Sequence, residues 1–254
     1  MMNFSPPPPA PFSTTSPRFL PQSEGIVEAV KDLSNAELKK ALGDAGEKIV
    51  KEAKEDYENW GNNDPIPSIF AYEGFLDGRN LSQTSLTTAN ECLRFLDPIY
   101  GILSPGDGIQ KYRMELSASL PVGKLSNYWK AIVSPSLLEE FSGVEKGVLL
   151  NAASKEYSSL LSFPAFIDAG VDVVDVDLVK KGGGNVPTVH AKYARGALAR
   201  WVCENGISDV EGIKGWEGEG FKFVREGEAK KGKTGNVVLV FEKGEEGKGK
   251  RKRE

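Results

Sequence analysis

The stretch Ile99–Leu116, IYGILSPGDGIQKYRMEL, constrains this chain more than any other. An apolar run, Ile99, Tyr100, Ile102 and Leu103, is broken by Gly101 and then turns through Ser104-Pro105-Gly106-Asp107-Gly108. Proline fixes its own φ, and the two glycines can take positive φ, so the chain reverses here. Lys111, Tyr112, Arg113 and Glu115 follow within five positions. The pattern predicts a buried strand that delivers a Gly-rich loop, and then a mixed-charge cluster beside the core. Functional residues often sit on loops held this way by a rigid scaffold. A plain strand–turn–strand with a solvated face has the same pattern.

Composition narrows the function classes. Of the 254 residues, 39% are hydrophobic, enough to bury a proper core. No apolar run approaches the roughly 20 residues that cross a bilayer, so a soluble protein without a membrane partner is expected. The net charge of −4 gives no global field for nucleic acid, and any such binding must use a local patch. Cys92 and Cys203 are far apart and belong to no CxxC or CxH motif, which argues against a disulfide framework or zinc ribbon and suits a reducing compartment. The single histidine, His190, excludes histidine-rich metal sites, and no GxSxG elbow supports a serine triad through it. Neither a metal nor a cofactor is expected.

Residues 1–22 read as a Pro/Ser-rich arm with no acidic residue and no signal-peptide core. Helices follow. Ile26, Val27, Val30 and Leu33 make one apolar stripe, and Ser34-Asn35-Ala36-Glu37 is a capping box for a short helix that stops at Gly43. A third helix runs from about Gly46 to Trp60, with Ile49, Ala53 and Tyr57 at helical spacing. Helix, tight Gly43–Gly46 link, helix resembles a helix-hairpin-helix. In such an element, hairpin amides and lysines such as Lys48 and Lys51 grip a DNA phosphate. The usual hairpin glycines are two apart and these are three, and on sequence alone an ordinary helix pair is the better fit.

Farther on, Ile69–Tyr72 reads as a strand, and Leu86–Leu96 and Leu125–Leu138 as helices, the last interrupted by Pro135. Val148–Leu150 is a short strand ending in Asn151-Ala-Ala-Ser154-Lys-Glu156-Tyr157. There small residues permit close approach while Asn151, Ser154 and Glu156 offer polar groups. Val171–Val179 alternates valine with aspartate and reads as a strand with one solvated face, joined through KKGGGN to a hairpin partner at Val186–His190. Lys192–Asn205 is the strongest helix. Lys192 and Arg195 lie over Gly196 and Ala199, a seat for phosphate or carboxylate or else a solvated basic stripe. Gly220–Val224 and Asn236–Phe241 read as paired strands. The tail, 244–254, is low in complexity and basic, and reads as disordered.

Taken together these landmarks resemble the YaaA peroxide stress protein family. The resemblance is carried in order by Ala71-Tyr72-Glu73-Gly74, Ile99–Leu103, Tyr112–Leu116, Tyr128-Trp129, Asn151–Tyr157, Ala191–Gly196, Glu219-Gly220-Phe221 and Leu239-Val240-Phe241. Three family cations are absent: Pro8 stands where the family has lysine, Ser104 where it has arginine, and Tyr193 where it often has a second lysine. The resemblance implies one compact mixed α/β (α+β) domain over 23–243, a mixed sheet surrounded by helices with a helix-hairpin-helix-like element. It also implies binding of duplex or branched DNA without sequence preference, protection under hydrogen peroxide, and a cytoplasmic location, with nucleus or organelle left open.

Two functions follow. In the first, Lys48, Lys51, Lys111, Arg113, Lys192 and Arg195 bind DNA backbone. In the second, an enzyme acts on a nucleotide or damaged nucleic acid, with Glu115, Glu156 and Lys192 as catalytic candidates beside Arg195 and a pocket of Tyr112, Asn151, Ser154 and Tyr157. Tyr112–Glu115, Asn151–Tyr157 and Lys192–Arg195, each at a strand end or helix start beside apolar anchors, are expected on one concave surface. Iron sequestration fits poorly, since only carboxylates could ligate the metal.

Overall fold

The computed structural model describes residues 2–72, 74, 76–227 and 236–244. The chain is mixed α/β as expected, and its residues pack as two compact units. The first comprises 1–142 and 153–162, and the second 143–152 and 163–254. The tail beyond Gly244, residues 228–235 and Glu73 of the Ala71–Gly74 motif lie outside the described residues.

In the first unit, helices α1 (Leu20–Lys31), α2 (Asn35–Ala41) and α3 (Glu47–Glu58) come first. The capping box forms as read: Ser34 Oγ accepts from Glu37 N, and Ser34 N donates to the Glu37 carboxylate. Strand β1 (Ile66–Pro67) leads into α4 (Ser68–Ala71), followed by α5 (Gln83–Cys92), β2 (Phe95–Asp97), β3 (Gly101–Leu103) and β4 (Gly108–Ile109). Strands β5 (Ser119–Leu120) and β6 (Gly123–Lys124), helix α6 (Leu125–Glu139) and the short α7 (Lys155–Ser158) complete it. The pairs β1–β4, β2–β3 and β5–β6 are all antiparallel. The strand expected at Ile69–Tyr72 is instead the single turn α4. The apolar run Ile69 to Ala71, buried all round, is too short to have a periodicity that distinguishes the two. The helix expected over Leu86–Leu96 starts earlier, capped by Ser82, and gives way to β2.

The Pro-rich arm is laid against this unit. Prolines offer carbonyls but no N–H, and the Arg79 guanidinium collects the carbonyls of Ser5 and Pro6. Thr15 bridges Asp107 through backbone and side chain, with Thr15 Oγ1 donating to Asp107 Oδ1 at 2.7 Å. The Ser104–Gly108 turn is therefore buried structure, not an open functional loop. Asp107 Oδ2 accepts from Ser104 N, Asn90 accepts from Gly106 N, and a Cβ on Gly108 would stand 2.7 Å from Thr14. Helix α6 continues through Pro135 and buries Trp129, whose Nε1 donates to the Pro98 carbonyl at 2.8 Å.

The second unit is built on β7 (Val148–Asn151), α8 (Phe163–Asp168), β8 (Asp172–Lys180), α9 (Thr188–Asn205), α10 (Val210–Lys214), β9 (Glu217–Gly218), β10 (Phe221–Gly227) and β11 (Val237–Lys243). Its five-stranded sheet has the order β7-β8-β11-β10-β9, with the first three strands parallel and the last two antiparallel. Leu198, Ile213, Trp216, Phe221, Leu239 and Phe241 fill its core. The β10–β11 pair is as read. The hairpin from Val171–Val179 to Val186–His190 does not form: it reduces to one bridge, Val179 to Asn185, and α9 already begins at Thr188. Strand β8 pairs with β7 and β11, and its middle, Val173 to Val176, is buried on both faces rather than solvated on one. Asp172 stays exposed while Asp175 is buried. No helix among the described residues is long and apolar enough to cross a membrane.

Candidate functional site

The most elaborate polar arrangement of the first unit surrounds Asp97, at the end of β2, with 2% of its surface exposed. Its Oδ1 accepts the amides of Ile99 and Tyr100 at 2.8 and 2.7 Å, the bonds that turn β2 into β3. Its Oδ2 accepts the phenols of Tyr72 and Tyr112. All four partners are donors, so the arrangement is built for a carboxylate. Burial pushes the Asp97 carboxyl up, while the hydrogen bonds from Tyr112, Tyr72 and the two amides pull it down without overcoming that effect. The two phenol oxygens stand 3.2 Å apart, and each has a single proton to give.

Aromatic rings extend from this centre. Trp60, half-buried after α3, stacks on Tyr100 at 5.6 Å and on Tyr57 at 6.4 Å, and meets Tyr112 at 6.4 Å. Tyr100 and Tyr112 meet edge to face at 5.8 Å. Tyr57 donates to the Arg113 carbonyl and Tyr100 accepts from Gln110 N, both at 2.8 Å, so each buried phenol is satisfied. Burial first, and the Asp97 charge second, push the phenols of Tyr57, Tyr72 and Tyr112 up. Tyr157 of α7 is also pushed up, by burial and then by the charges of Asp97, Glu156 and Glu115.

The structure thus places Tyr112, Glu115, Ser154, Glu156 and Tyr157 in the first unit, and Asn151, Lys192 and Arg195 in the second. Tyr112 bonds Asp97, the charges of Asp97 and Glu115 both reach Tyr157, Glu156 is exposed, and Ser154 caps α7 without a side-chain bond. In the second unit Asn151 Nδ2 donates to Asp175 Oδ1 at 2.8 Å across the β7–β8 register. Burial lowers the Arg195 guanidinium, and the Asp175 charge raises it in opposition. Lys192 is exposed. Among the described residues no group of three or more His, Cys, Asp or Glu is placed to hold a metal ion.

The remaining cations lie in the first unit. Arg113 is exposed, and Lys111 pairs with Asp56 at 2.8 Å. Lys48 and Lys51, with side chains 89% and 79% exposed, sit one turn before Glu52 and Glu55 at 3.8 and 3.9 Å. They follow a link in which Gly43 and Asp44 have positive φ, and Gly46 caps α3 with no side chain to occupy its first-turn amides.

The family model for the peroxide stress protein YaaA matches residues 1–227. The chain belongs to the YaaA peroxide stress protein family. It is also similar to several UPF0246 proteins. One from Aliivibrio fischeri strain MJ11 is 30% identical over 245 residues, covering 92% of each chain. One from Lactobacillus delbrueckii subsp. bulgaricus is 33% identical over 238 residues, covering 90% of this chain and 91% of the relative. Of the segments that resemble YaaA, Ala71–Gly74, Ile99–Leu103 and Tyr112–Leu116 meet at Asp97, supplying Tyr72, the Ile99 and Tyr100 amides, and Tyr112. Sequence reasoning missed Asp97 itself, because a lone Asp before Pro98 reads as a turn residue. It read Tyr57 and Trp60 as helix packing and Asp175 as a solvated face.

Proposed function

We propose that this YaaA-family chain protects DNA under hydrogen peroxide stress by binding the duplex backbone without reading its sequence. The observation that carries the reading is the α2–link–α3 element, where Gly46 leaves the α3 N-terminus uncapped by a side chain and Lys48 and Lys51 project into solvent beside it. Amides at a helix N-terminus and nearby ammonium groups are the usual partners of a phosphate. Their ion pairs with Glu52 and Glu55 do not stand in the way. Exposed pairs of this kind are worth only about 0.2–1 kcal/mol, so a phosphate can displace the glutamates. Lys111 and Arg113 add exposed cations to the same unit, and exposed Lys192 and half-buried Arg195 add cations to the second. The test is binding to duplexes of unrelated sequence. The reading expects equal affinity for all of them, and the Lys48→Ala/Lys51→Ala variant weaker on all alike. Strong sequence preference, or an unweakened variant, contradicts it.

A second reading, an enzyme acting on a nucleotide or damaged nucleic acid, is favoured by the charges of Glu115 and Glu156 around half-buried Tyr157. It expects Glu115→Gln and Glu156→Gln to abolish turnover of such a substrate while leaving its affinity intact.

A further inference from the structure

The Asp97 cluster is not used by DNA contact. It is closed, fully hydrogen-bonded and aromatic, and it reaches the half-buried indole of Trp60. We propose that Trp60, Tyr100 and Tyr112 form a relay that carries an oxidising equivalent inward from the surface of the first unit, to be held as a tyrosyl radical on Tyr112 with Asp97 receiving its proton. The inference does not depend on the DNA reading.

The geometry meets the two requirements of such a step. Electron transfer between aromatic rings is fastest at near contact, and Trp60 lies 6.4 Å from Tyr112 directly, or 5.6 and 5.8 Å by way of Tyr100. A phenol loses an electron readily only if its proton has somewhere to go, and Tyr112 already donates to Asp97 Oδ2. The carboxyl, pushed up by burial, is a better proton acceptor than an exposed aspartate. Tyr72 shares the acceptor but its ring meets Phe95, tilted at 5.2 Å, and no ring contact joins it to Trp60 among the described residues.

The step balances with a one-electron oxidant of the class that peroxide chemistry produces. The oxidant takes one electron from the Trp60 indole and is reduced, while the indole N–H proton goes to water. The indolyl radical then regains an electron from Tyr112 and a proton from water. The Tyr112 O–H bond breaks, a new O–H bond forms on Asp97 Oδ2, and the unpaired electron rests on the phenoxyl oxygen and ring.

Pulse radiolysis of the full chain with the azide radical, which oxidises indoles, tests the proposal. In the wild type, indolyl absorbance should decay as phenoxyl absorbance grows, with a first-order rate independent of protein concentration. Trp60→Phe should remove that phase. Tyr112→Phe should slow it at least about tenfold, and Asp97→Asn by a similar factor, the equivalent of some 1.4 kcal/mol in barrier. Tyr72→Phe, which takes a hydroxyl from the same carboxylate, should keep the transfer. That comparison separates the relay from a general loosening of the cluster, and it stands even if Asp97→Asn fails to fold. Absence of intramolecular transfer in the wild type, or equal rates in Tyr72→Phe and Tyr112→Phe, would overturn the proposal.

Discussion

Gly101 lies against the indole of Trp129 so closely that a Cβ at this position would stand 2.4 Å from ring carbon Cε3. Its φ of +72° is a conformation that side chains rarely adopt. Strand β3 can therefore pass over α6 only as glycine, and the turn just before it, from Asp97 to Tyr100, is held by the same contact region through Trp129 Nε1 and the Pro98 carbonyl.

Gly101→Ala should accordingly destabilise the first unit by about 2–4 kcal/mol, since overpacking and a strained φ act together. Urea unfolding followed by tryptophan fluorescence reads the change. A loss below about 0.5 kcal/mol would show that Trp129 moves aside freely.

The capping box offers a smaller and cleaner effect. Ser34→Ala removes the acceptor of Glu37 N and should cost about 1 kcal/mol, with little effect from Asn35→Ala one position later. Thermal melts of the two variants compare them directly.

Glu140 ties α6 to two distant arginines, Arg94 at 2.7 Å and Arg18. Burial pushes its carboxyl up, but the hydrogen bonds and charges of Arg94 and Arg18 outweigh that and hold it below the usual 4.5. A carboxyl depressed in the folded state gives stability that is complete above its unfolded value and is lost as pH falls through the folded one. The wild type should thus lose more stability than Glu140→Gln between about pH 5 and the folded titration point, by roughly 1 kcal/mol after allowing for solvent screening. Parallel acid-unfolding profiles of the two proteins would refute this.

The buried phenols predict the alkaline limb. Tyr57, Tyr72 and Tyr112 are held neutral by burial and by Asp97, so above the ordinary value of 10.0 the folded state binds more protons than the unfolded. Stability therefore falls as pH rises through that region. A spectrophotometric titration should show these phenolates only as the protein unfolds, and gradual ionisation with circular dichroism unchanged would contradict the burial.

Much of this was legible from residues alone. The capping box, the β10–β11 pair and the α9 helix ending at Asn205-Gly206 follow from local rules that tertiary packing did not override. The Ser104–Gly108 turn was visible as a turn, but its closure by Thr14 and Thr15 was not, because no local pattern pairs residues some ninety positions apart. Asp97 and Asp175 were illegible for a related reason: an aspartate reads as solvated until long-range partners, two phenols in one case and Asn151 in the other, make its burial tolerable. The hairpin at Val186–His190 failed because β8 already had sheet partners elsewhere in the chain.

The central claim, backbone contact with DNA, is tested most directly by the salt dependence of duplex binding. Four to six cations meeting phosphates give a log–log slope of about −4 to −5, and Lys48→Ala/Lys51→Ala should flatten it by roughly two. A slope near zero in the wild type, or an unchanged slope in the double variant, would contradict the account.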